Sequence, residues 1–157
     1  GITEFVPLPF IAAEAPIFRR GQSRAGPTFR ESVLMHAVGR LVLHPLITNI
    51  QASWVKLGPN GVEACLRAGV NDLGGTLMNE SISRSAGASY GQEMTADRMW
   101  EIAQSAGRTL KQRSTFYGEV PGANPRLFDQ VSGCAHSAEG LSDTVGQQAI
   151  RYVNLAN

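Results

Sequence analysis

The stretch from Thr48 to Gly91 constrains the fold of this chain more than any other. Its pattern predicts a strand over residues 48–54, a helix over residues 59–68 that Gly69 ends in a left-handed cap, and a second strand over residues 72–77. Two strands joined by one helix lie parallel, with a right-handed crossover. We therefore expect serial βα units, in which ligands bind in the loops after the carboxyl ends of the strands.

The residues before this stretch predict one more βα unit. A strand over residues 3–10 should stop at its second proline, and residues 11–27 should form a long loop. Thr28 and Glu31 have the spacing of a capping box, so a helix is expected to begin there and to end before Pro45. Its apolar positions at helical spacing are Val33, Leu34, Ala37, Val38, Leu41 and Val42.

The residues after the stretch complete an α/β pattern with parallel strands. Thr95 is a candidate cap for a helix through Ala106 that Gly107 closes, and residues 113–118 are a further strand candidate. A complete eight-unit barrel needs about 250 residues, so a chain of 157 residues can supply only part of one. We expect residues 1–120 to form that part. Residues 121–157 should be a linker and tail, with a weak helical stripe near 139–155.

Bulk composition excludes several classes of function. The formal net charge of +1 gives no reason to expect nucleic acid or a membrane surface as a partner. Neither of the two cysteines, Cys65 and Cys134, has metal-ligand or disulfide-framework spacing, so a reducing, cytoplasmic setting is expected. No segment has the run of about 18 apolar residues of a membrane span, and no signal or anchor is expected.

The candidate site residues follow the two strands of the central stretch, where a barrel holds its ligands. Polar side chains on one face of the first strand suit the inside of a barrel near its mouth better than a strand covered on both sides. The candidates are Gln51, Ser53 and Trp54 toward the end of the first strand, and Thr76, Asn79 and Glu80 at or just beyond the end of the second. Lys56 and Met78 lie on the same rim.

Each candidate also has a simpler structural explanation. Trp54 is as often a core residue as a wall for a ring, and Lys56 is more often solvated than catalytic. Glu80 is equally suited to the first turn of a helix. Gly74 and Gly75 could admit a phosphate, but close packing at a strand end explains them better.

Two segments carry a resemblance to a known family. They are Gln-Ala-Ser-Trp-Val-Lys-Leu-Gly at residues 51–58 and Asn-Asp-Leu-Gly-Gly-Thr-Leu-Met-Asn-Glu-Ser-Ile at residues 71–82. Together with residues 4–10, Gly26-Pro27-Thr28, residues 84–87 and parts of 107–113, they resemble the carboxyl-terminal region of the tyrosine-ligating subunit or domain of FO synthase. That family belongs to the radical S-adenosylmethionine (SAM) enzymes of deazaflavin biosynthesis. The resemblance covers residues 1 to about 120.

The resemblance implies a (βα) TIM-type barrel that cleaves SAM at a 4Fe-4S cluster. It also implies the substrates L-tyrosine and 5-amino-6-(D-ribitylamino)uracil, and a partner subunit or domain that closes the ring of FO. It implies that Gln51, Ser53 and Trp54 face SAM or substrate, and that Thr76, Asn79 and Glu80 contact the uracil or the ribityl hydroxyls. The family holds its cluster with a CxxxCxxC motif, which this sequence lacks. The chain alone should therefore be inactive, and the cluster ligands should lie in an amino-terminal part of the barrel.

Two alternatives remain open at this point. The related menaquinone-pathway (futalosine) radical SAM enzymes share the Ile-Gln-x-Ser-Trp-Val and Asn-Asp patterns, although residues 56–58 and 77–81 are closer to the deazaflavin branch. The chain could also be a non-catalytic remnant or assembly module without the cluster half. A start codon immediately before Gly1 would favour the remnant, and an upstream CxxxCxxC in the same frame would favour the enzyme.

Overall fold

The computed structural model describes residues 1–76, 81–91 and 93–120, together with the backbone of residues 151–152. Its helices are α1 (Pro16–Arg19), α2 (Phe29–Leu43), α3 (Trp54–Arg67), α4 (Ile82–Ser85) and α5 (Ala96–Ser105). Its strands are β1 (Glu4–Phe5), β2 (Asn49–Ile50), β3 (Gln112–Arg113) and β4 (Arg151–Tyr152). The mixed helix and strand content confirms the predicted α/β class.

The parallel pairing predicted for the first two strands is confirmed, but the strands are short. β1 pairs with β2, with Glu4 opposite Asn49 and Phe5 opposite Ile50. Asp72 continues the sheet on the other edge of β2 through an isolated parallel bridge to Gln51. The predicted lengths of 48–54 and 3–10 were wrong, because a helix begins at Trp54 and because Pro7 and Pro9 lack the amide hydrogen that a longer ladder needs.

Helix α2 begins where the capping box predicted. The Thr28 side chain accepts from the Glu31 amide, and Glu31 accepts from the Thr28 amide in return. The prediction that the apolar stripe forms the buried face of this helix was wrong. The buried residues of α2 are Ser32, His36 and Gly39. Gly39 explains the orientation, because a Cβ there would lie 2.9 Å from the Phe5 ring, so the helix approaches β1 through its smallest residue.

Helix α3 begins five residues earlier than predicted and is interrupted once. Gly58 has φ 66° and ψ 176°, which only glycine adopts readily, and Pro59 restarts the helix with its φ already suitable. The predicted left-handed end at Gly69 is confirmed by a φ of 106°. The Gly69 amide donates to Leu66 and the Val70 amide to Cys65, which completes a Schellman cap.

The last predicted helix is confirmed and the strand after it is only partly present. Thr95 accepts from the Arg98 amide at the start of α5, and Gly107 follows its end with φ 71°. The predicted strand over 113–118 was wrong beyond its first residue. The Ser114 hydroxyl accepts from the Gly118 amide and turns the chain, so the backbone returns to a bridge between Arg113 and Glu119.

The core lies where α3 and α5 pack on the sheet. Helix α3 contacts both α2 and α5, so the three helices form a row across the sheet. The buried apolar residues are Ile50, Ala52, Trp54, Val55, Val62, Cys65, Leu66, Val70, Leu73, Met94, Met99, Ile102, Ala103, Ala106 and Leu110. This layer fixes one face of the sheet against the helices.

Hydrogen bonds from α2 also fix the residues that come immediately before β2 and before Asp72. Arg40 donates to the backbone oxygens of Thr48 and Gly69 and to the Asn71 side chain. The same Asn71 oxygen accepts from the Ile50 amide. One guanidinium therefore fixes the chain before β2 and the chain before Asp72, an arrangement that positions the strands rather than a ligand.

Several predictions fall outside the described residues. They include residue 77 of the second predicted strand, the division at residue 120, and the helix near 139–155 except for Arg151–Tyr152, which pair antiparallel with β3 instead. Among the described helices, none is long and apolar enough to span a bilayer.

Candidate functional site

The sheet has one face against the helices and one face that carries polar side chains. Phe5 and Ile50 pack with the core, and neighbouring residues along a strand point to opposite faces. Glu4 and Gln51 therefore lie on the face away from the helices, and Asp72 joins them as the bridge partner of Gln51.

A buried hydrogen-bonded cluster occupies this face. Asp72 is fully buried and forms an ion pair with Arg113, which is also buried. The other Asp72 oxygen accepts from the Gly74 amide at 2.7 Å. The Tyr117 hydroxyl lies 2.7 Å from Asp72 Oδ2 and also bonds to Glu4. We call Glu4, Asp72, Arg113 and Tyr117 the inner-face cluster.

Tyr117 holds the cluster together from an unusual backbone conformation. Its φ is 63°, a left-handed value that costs a residue with a Cβ of the order of 1 kcal/mol. Its ring lies under the Arg113 guanidinium, 3.8 Å from the ring centre. The turn that begins at Ser114 thus places the hydroxyl between two carboxyl groups and the ring against a cation, and these contacts offset the strain.

The protonation state of the cluster follows from its burial. Removal from water raises the pKa of Asp72, and bonds from Tyr117, Gly74 and Arg113 oppose that rise without cancelling it. Burial together with the two carboxyl neighbours raises the pKa of Tyr117, so its hydroxyl keeps its proton.

Two buried polar atoms beside the cluster have no hydrogen-bond partner within the described part of the chain. They are Oε1 of Gln51 and Nε of Arg113. Gln51 lies against Gly74, where a Cβ would come within 3.2 Å of its Nε2. An unpaired buried acceptor or donor costs about 1–3 kcal/mol, so both atoms are candidates for a partner that this chain does not itself provide.

The structure places Ser53 and Trp54 at the start of α3 rather than at the end of a strand. Ser53 precedes the helix without a side-chain cap bond. Trp54 is buried in the core, and its Nε1 donates to the Gly75 oxygen at 2.9 Å. Lys56 is half-buried and donates to the Ser83 hydroxyl at 2.6 Å. Thr76 is half-buried.

Asn79, Glu80 and Met78 lie outside the described residues, so their predicted placement on the rim stays a prediction. Near that rim, Trp54 borders a cavity of about 390 Å³ whose other lining residues include Pro59, Tyr90, Met94 and Arg98. Trp54 therefore both packs in the core and borders this cavity. The two interpretations of this residue do not exclude each other.

The sequence reasoning missed Glu4, Asp72, Arg113 and Tyr117 as site residues. A buried Asp-Arg pair whose members lie 41 positions apart is not visible from local patterns. In the sequence, Asp72 and Arg113 stood out only as the first residues of predicted strands and as parts of the family resemblance. The available signal for Asp72 was its position in a strand that should be buried on one side, where a carboxylate requires a partner.

The described residues do not fit an iron–sulfur cluster. Such clusters are held by several cysteine thiolates, whereas Cys65 is buried and its burial raises the pKa of the thiol to about 11. Cys134 lies outside the described residues. Within residues 1–76, 81–91 and 93–120, no group of three or more His, Cys, Asp or Glu side chains could hold a metal ion.

Comparison with known proteins identifies the family. A family model described as the CofH/MqnC C-terminal region matches residues 1–124. The chain belongs to that family. The CofH/MqnC match includes the whole inner-face cluster, and it confirms the resemblance inferred from residues 51–58 and 71–82. No solved structure matches the chain.

Three relatives show how much of a longer protein this region represents. An FO synthase of Streptomyces avermitilis is 53% identical over 133 residues, which are 85% of this chain and 15% of that protein. A 5-amino-6-(D-ribitylamino)uracil–L-tyrosine 4-hydroxyphenyl transferase of Methanopyrus kandleri is 54% identical over 120 residues, which are 76% of this chain and 32% of that protein. An FO synthase of Mycobacterium tuberculosis is 47% identical over 117 residues, 74% of this chain and 14% of that protein. The matched region is thus a third or less of each relative.

Proposed function

We propose that this chain is the carboxyl-terminal part of a radical SAM transferase that joins the tyrosine-derived hydroxybenzyl group to 5-amino-6-(D-ribitylamino)uracil in FO biosynthesis. The observation that carries the proposal is membership of the CofH/MqnC C-terminal region family, together with relatives that bear the names FO synthase and hydroxyphenyl transferase. The family description covers two branches, and the names of these relatives favour the deazaflavin branch over the menaquinone branch.

We propose that the sheet of this chain forms part of the wall of a TIM-type barrel. The parallel order of β1, β2 and Asp72 under a row of helices supports this arrangement, because βα units of that kind close into barrels. The polar inner-face cluster would then point into the barrel. The 4Fe-4S cluster and SAM are assigned to the complete enzyme, in which the cluster ligands would come from the amino-terminal part.

Within that barrel we propose that the inner face recognises the uracil substrate. A uracil ring presents both N–H donors and C=O acceptors. Oε1 of Gln51 can accept from the former and Nε of Arg113 can donate to the latter, and neither atom has another partner among the described residues. The Asp72 carboxyl group and the Tyr117 hydroxyl, which are hydrogen-bonded to each other, lie beside them.

The predicted rim residues keep their proposed roles. Gln51, Ser53 and Trp54 would face SAM or substrate, and Thr76, Asn79 and Glu80 would contact the uracil or the ribityl hydroxyls. Trp54 is supported by the cavity that it borders. L-Tyrosine is the second proposed substrate, and a separate FO-cyclising subunit or domain would consume the product. The proposal includes no nucleic-acid or membrane partner, and it assigns the enzyme to the cytoplasm.

The test is a complementation assay. The chain is added to a separately expressed amino-terminal part of the Methanopyrus transferase, with SAM, L-tyrosine, the ribitylaminouracil and a reductant, and the tyrosine–uracil adduct is measured by mass spectrometry. Adduct formation only when both parts are present supports the function. No adduct, while the intact Methanopyrus enzyme works, favours the alternative of a non-catalytic remnant.

The same assay tests the inner face with a matched pair of variants. Gln51→Ala removes the unpaired acceptor and should lower the rate of adduct formation by about tenfold or more. Gln22→Ala makes the same change at an exposed position and should leave the rate unchanged. Equal rates for the two variants would show that Gln51 is not part of the site. Glu80→Gln tests the rim by the same measurement, the rate of adduct formation.

A further inference from the structure

One flank of helix α2 is apolar and exposed, which is unusual for a helix that also packs on a sheet. The helix faces β1 with Ser32, His36 and Gly39. Beside that face runs a stripe of exposed apolar side chains, which we call the α2 flank. Its members are Leu34, Met35, Val38, Leu41 and Val42. Contiguous apolar surface of this kind marks an interaction site on soluble proteins.

The α2 flank continues into a groove formed with the chain that follows β1. The groove has a volume of about 470 Å³ and is lined by Leu34, Met35 and Val38 on one side and by residues 7–10 on the other. An ion pair between Arg24 and Glu31, 3.2 Å apart, lies at its polar part. His36 also lines it, and its Nε2 has no hydrogen-bond partner among the described residues.

The position of the flank in the fold indicates what covers it. Helices α2, α3 and α5 form a row in which α3 contacts both others, so α2 is the end of the row. The strands follow the order of the helices above them, since β2 lies between β1 and Asp72 and β1 is at the end of the sheet. In the described part of the chain, β1 has no partner on its other edge. The apolar flank and the open strand edge therefore lie on the same side of the molecule.

We propose that the α2 flank and the outer edge of β1 form the docking surface for the part of the enzyme that precedes this region in its relatives. The family is described as a carboxyl-terminal region, and the match covers only 32% of the Methanopyrus protein, so about two thirds of that protein lie outside it. A preceding βα unit supplies both missing elements. Its strand extends the parallel sheet at β1, and its helix packs on Leu34, Val38 and Leu41.

A second copy of this chain fits the surface less well. Most homodimers have a two-fold axis, which brings the same patch of each copy together. Such an axis would pair β1 with itself in the antiparallel direction, whereas β1 and β2 are parallel. The inference rests on the proposed barrel and adds to it the surface through which the two parts associate.

The experiment measures binding without any chemistry. The probe is the amino-terminal part of the Methanopyrus transferase with the matched region removed, and its affinity for this chain is measured by calorimetry. Val38→Glu and Leu41→Glu each introduce a charge into the flank. The control is Ile82→Glu on α4, because Ile82 and Leu41 are both 80% exposed and the same change is made outside the flank.

The expected result is that the probe binds the wild-type chain and the Ile82→Glu variant equally, while each flank variant binds about tenfold more weakly or worse. Unchanged affinity for the flank variants, or no binding of the probe to the wild-type chain, would overturn the proposal. The proposal would also be overturned if this chain formed a dimer that persisted in the presence of the probe and that each flank variant disrupted. The α2 flank would then bind a second copy of this chain. The assay contains no SAM or substrate, so docking and the proposed transferase activity can fail separately.

Discussion

At the scale of single residues, the inner-face cluster depends on one hydroxyl group. The Tyr117 hydroxyl is bonded to both Glu4 and Asp72, and its ring is stacked under Arg113. Tyr117→Phe keeps the stacking and removes the hydroxyl, so Asp72 loses one of its buried donors. We expect the free energy of unfolding to fall by about 1–2 kcal/mol, measured by urea denaturation.

The matched control for this change is Tyr90→Phe, since the Tyr90 side chain is half exposed and lies outside the cluster. It should change the free energy of unfolding by less than about 0.5 kcal/mol. A Tyr117→Phe variant as stable as the Tyr90→Phe variant would show that the hydroxyl contributes nothing to the cluster. It would also leave the left-handed conformation of Tyr117 without the compensation proposed for it.

Cys65 provides a pH-dependent prediction at the same scale. Burial raises the pKa of its thiol from 9.0 to about 11, so the folded state disfavours the thiolate. A raised pKa means that this contribution to stability is complete below pH 9 and is lost as the pH rises from 9 through 11. At pH 8 the folded chain should hold about a hundredfold less thiolate at this position than the unfolded chain.

Alkylation of Cys65 by iodoacetamide, followed by peptide mass spectrometry, measures this difference directly. In native buffer the reaction should accelerate only as the pH approaches 11, and in urea it should accelerate near pH 9. A native reaction that accelerates near pH 9 would mean that Cys65 is accessible to water. The buried position of Cys65 in the core, and the exclusion of this residue as a cluster ligand, would then both be wrong.

At the scale of elements, the sequence predicted helix ends better than strand lengths, and the reason is local chemistry. The N-caps at Thr28 and Thr95 and the terminal glycines Gly69 and Gly107 act through bonds between residues within about a turn of one another, so a local pattern shows them. The strands depend on partners far along the chain. The end of β2 at Ile50 depends on whether a helix can start at Trp54, which no strand pattern reveals.

The same argument explains what the sequence could say about the site. Gln51 was predicted from the alternation of its strand, and its placement on the polar face is confirmed by the bridge to Asp72. Asn71 and Asp72 are adjacent in one motif but do different things, since Asn71 bonds to Arg40 and positions the strands while Asp72 lies in the inner-face cluster. The bond between Asp72 and Arg113 distinguishes the role of Asp72 from that of Asn71. Because Asp72 and Arg113 lie 41 positions apart, no local pattern shows this bond.

Helix α3 gives the prediction that belongs to this scale. A Cβ at Gly58 would lie 2.8 Å from the Tyr90 ring, and its backbone is in a region that only glycine occupies readily. Gly58→Ala should therefore lower the free energy of unfolding by about 2–4 kcal/mol. The control is Gly107→Ala, which also has a positive φ but has nothing within 4 Å of the new Cβ, and it should cost about 1 kcal/mol.

Thermal unfolding followed by circular dichroism compares the two variants, and the difference between them reports the contact with Tyr90 together with the less accessible backbone conformation of Gly58. Equal midpoints for Gly58→Ala and Gly107→Ala would contradict the close approach of the Tyr90 ring. That result would also remove the packing reason for a glycine at the interruption of α3.

At the scale of the whole molecule, the fold leaves surfaces that the proposed barrel would cover. The outer edge of β1 has no partner within the described residues, and the α2 flank beside it is apolar. Open strand edges and apolar patches both promote association in water. We therefore expect the isolated chain to self-associate weakly at micromolar concentrations, or to be marginally stable, although the described residues include a core of fifteen buried apolar residues.

Sedimentation velocity at several concentrations tests this expectation. The weight-average sedimentation coefficient of the wild-type chain should rise with concentration, whereas Leu41→Glu should reduce that rise because a charge on the flank opposes contact between apolar surfaces. Ile82→Glu should leave it unchanged, since that equally exposed residue lies on α4. A single monomer boundary at every concentration, together with cooperative unfolding, would show that these residues fold as an independent unit, and the flank would then require no partner to cover it.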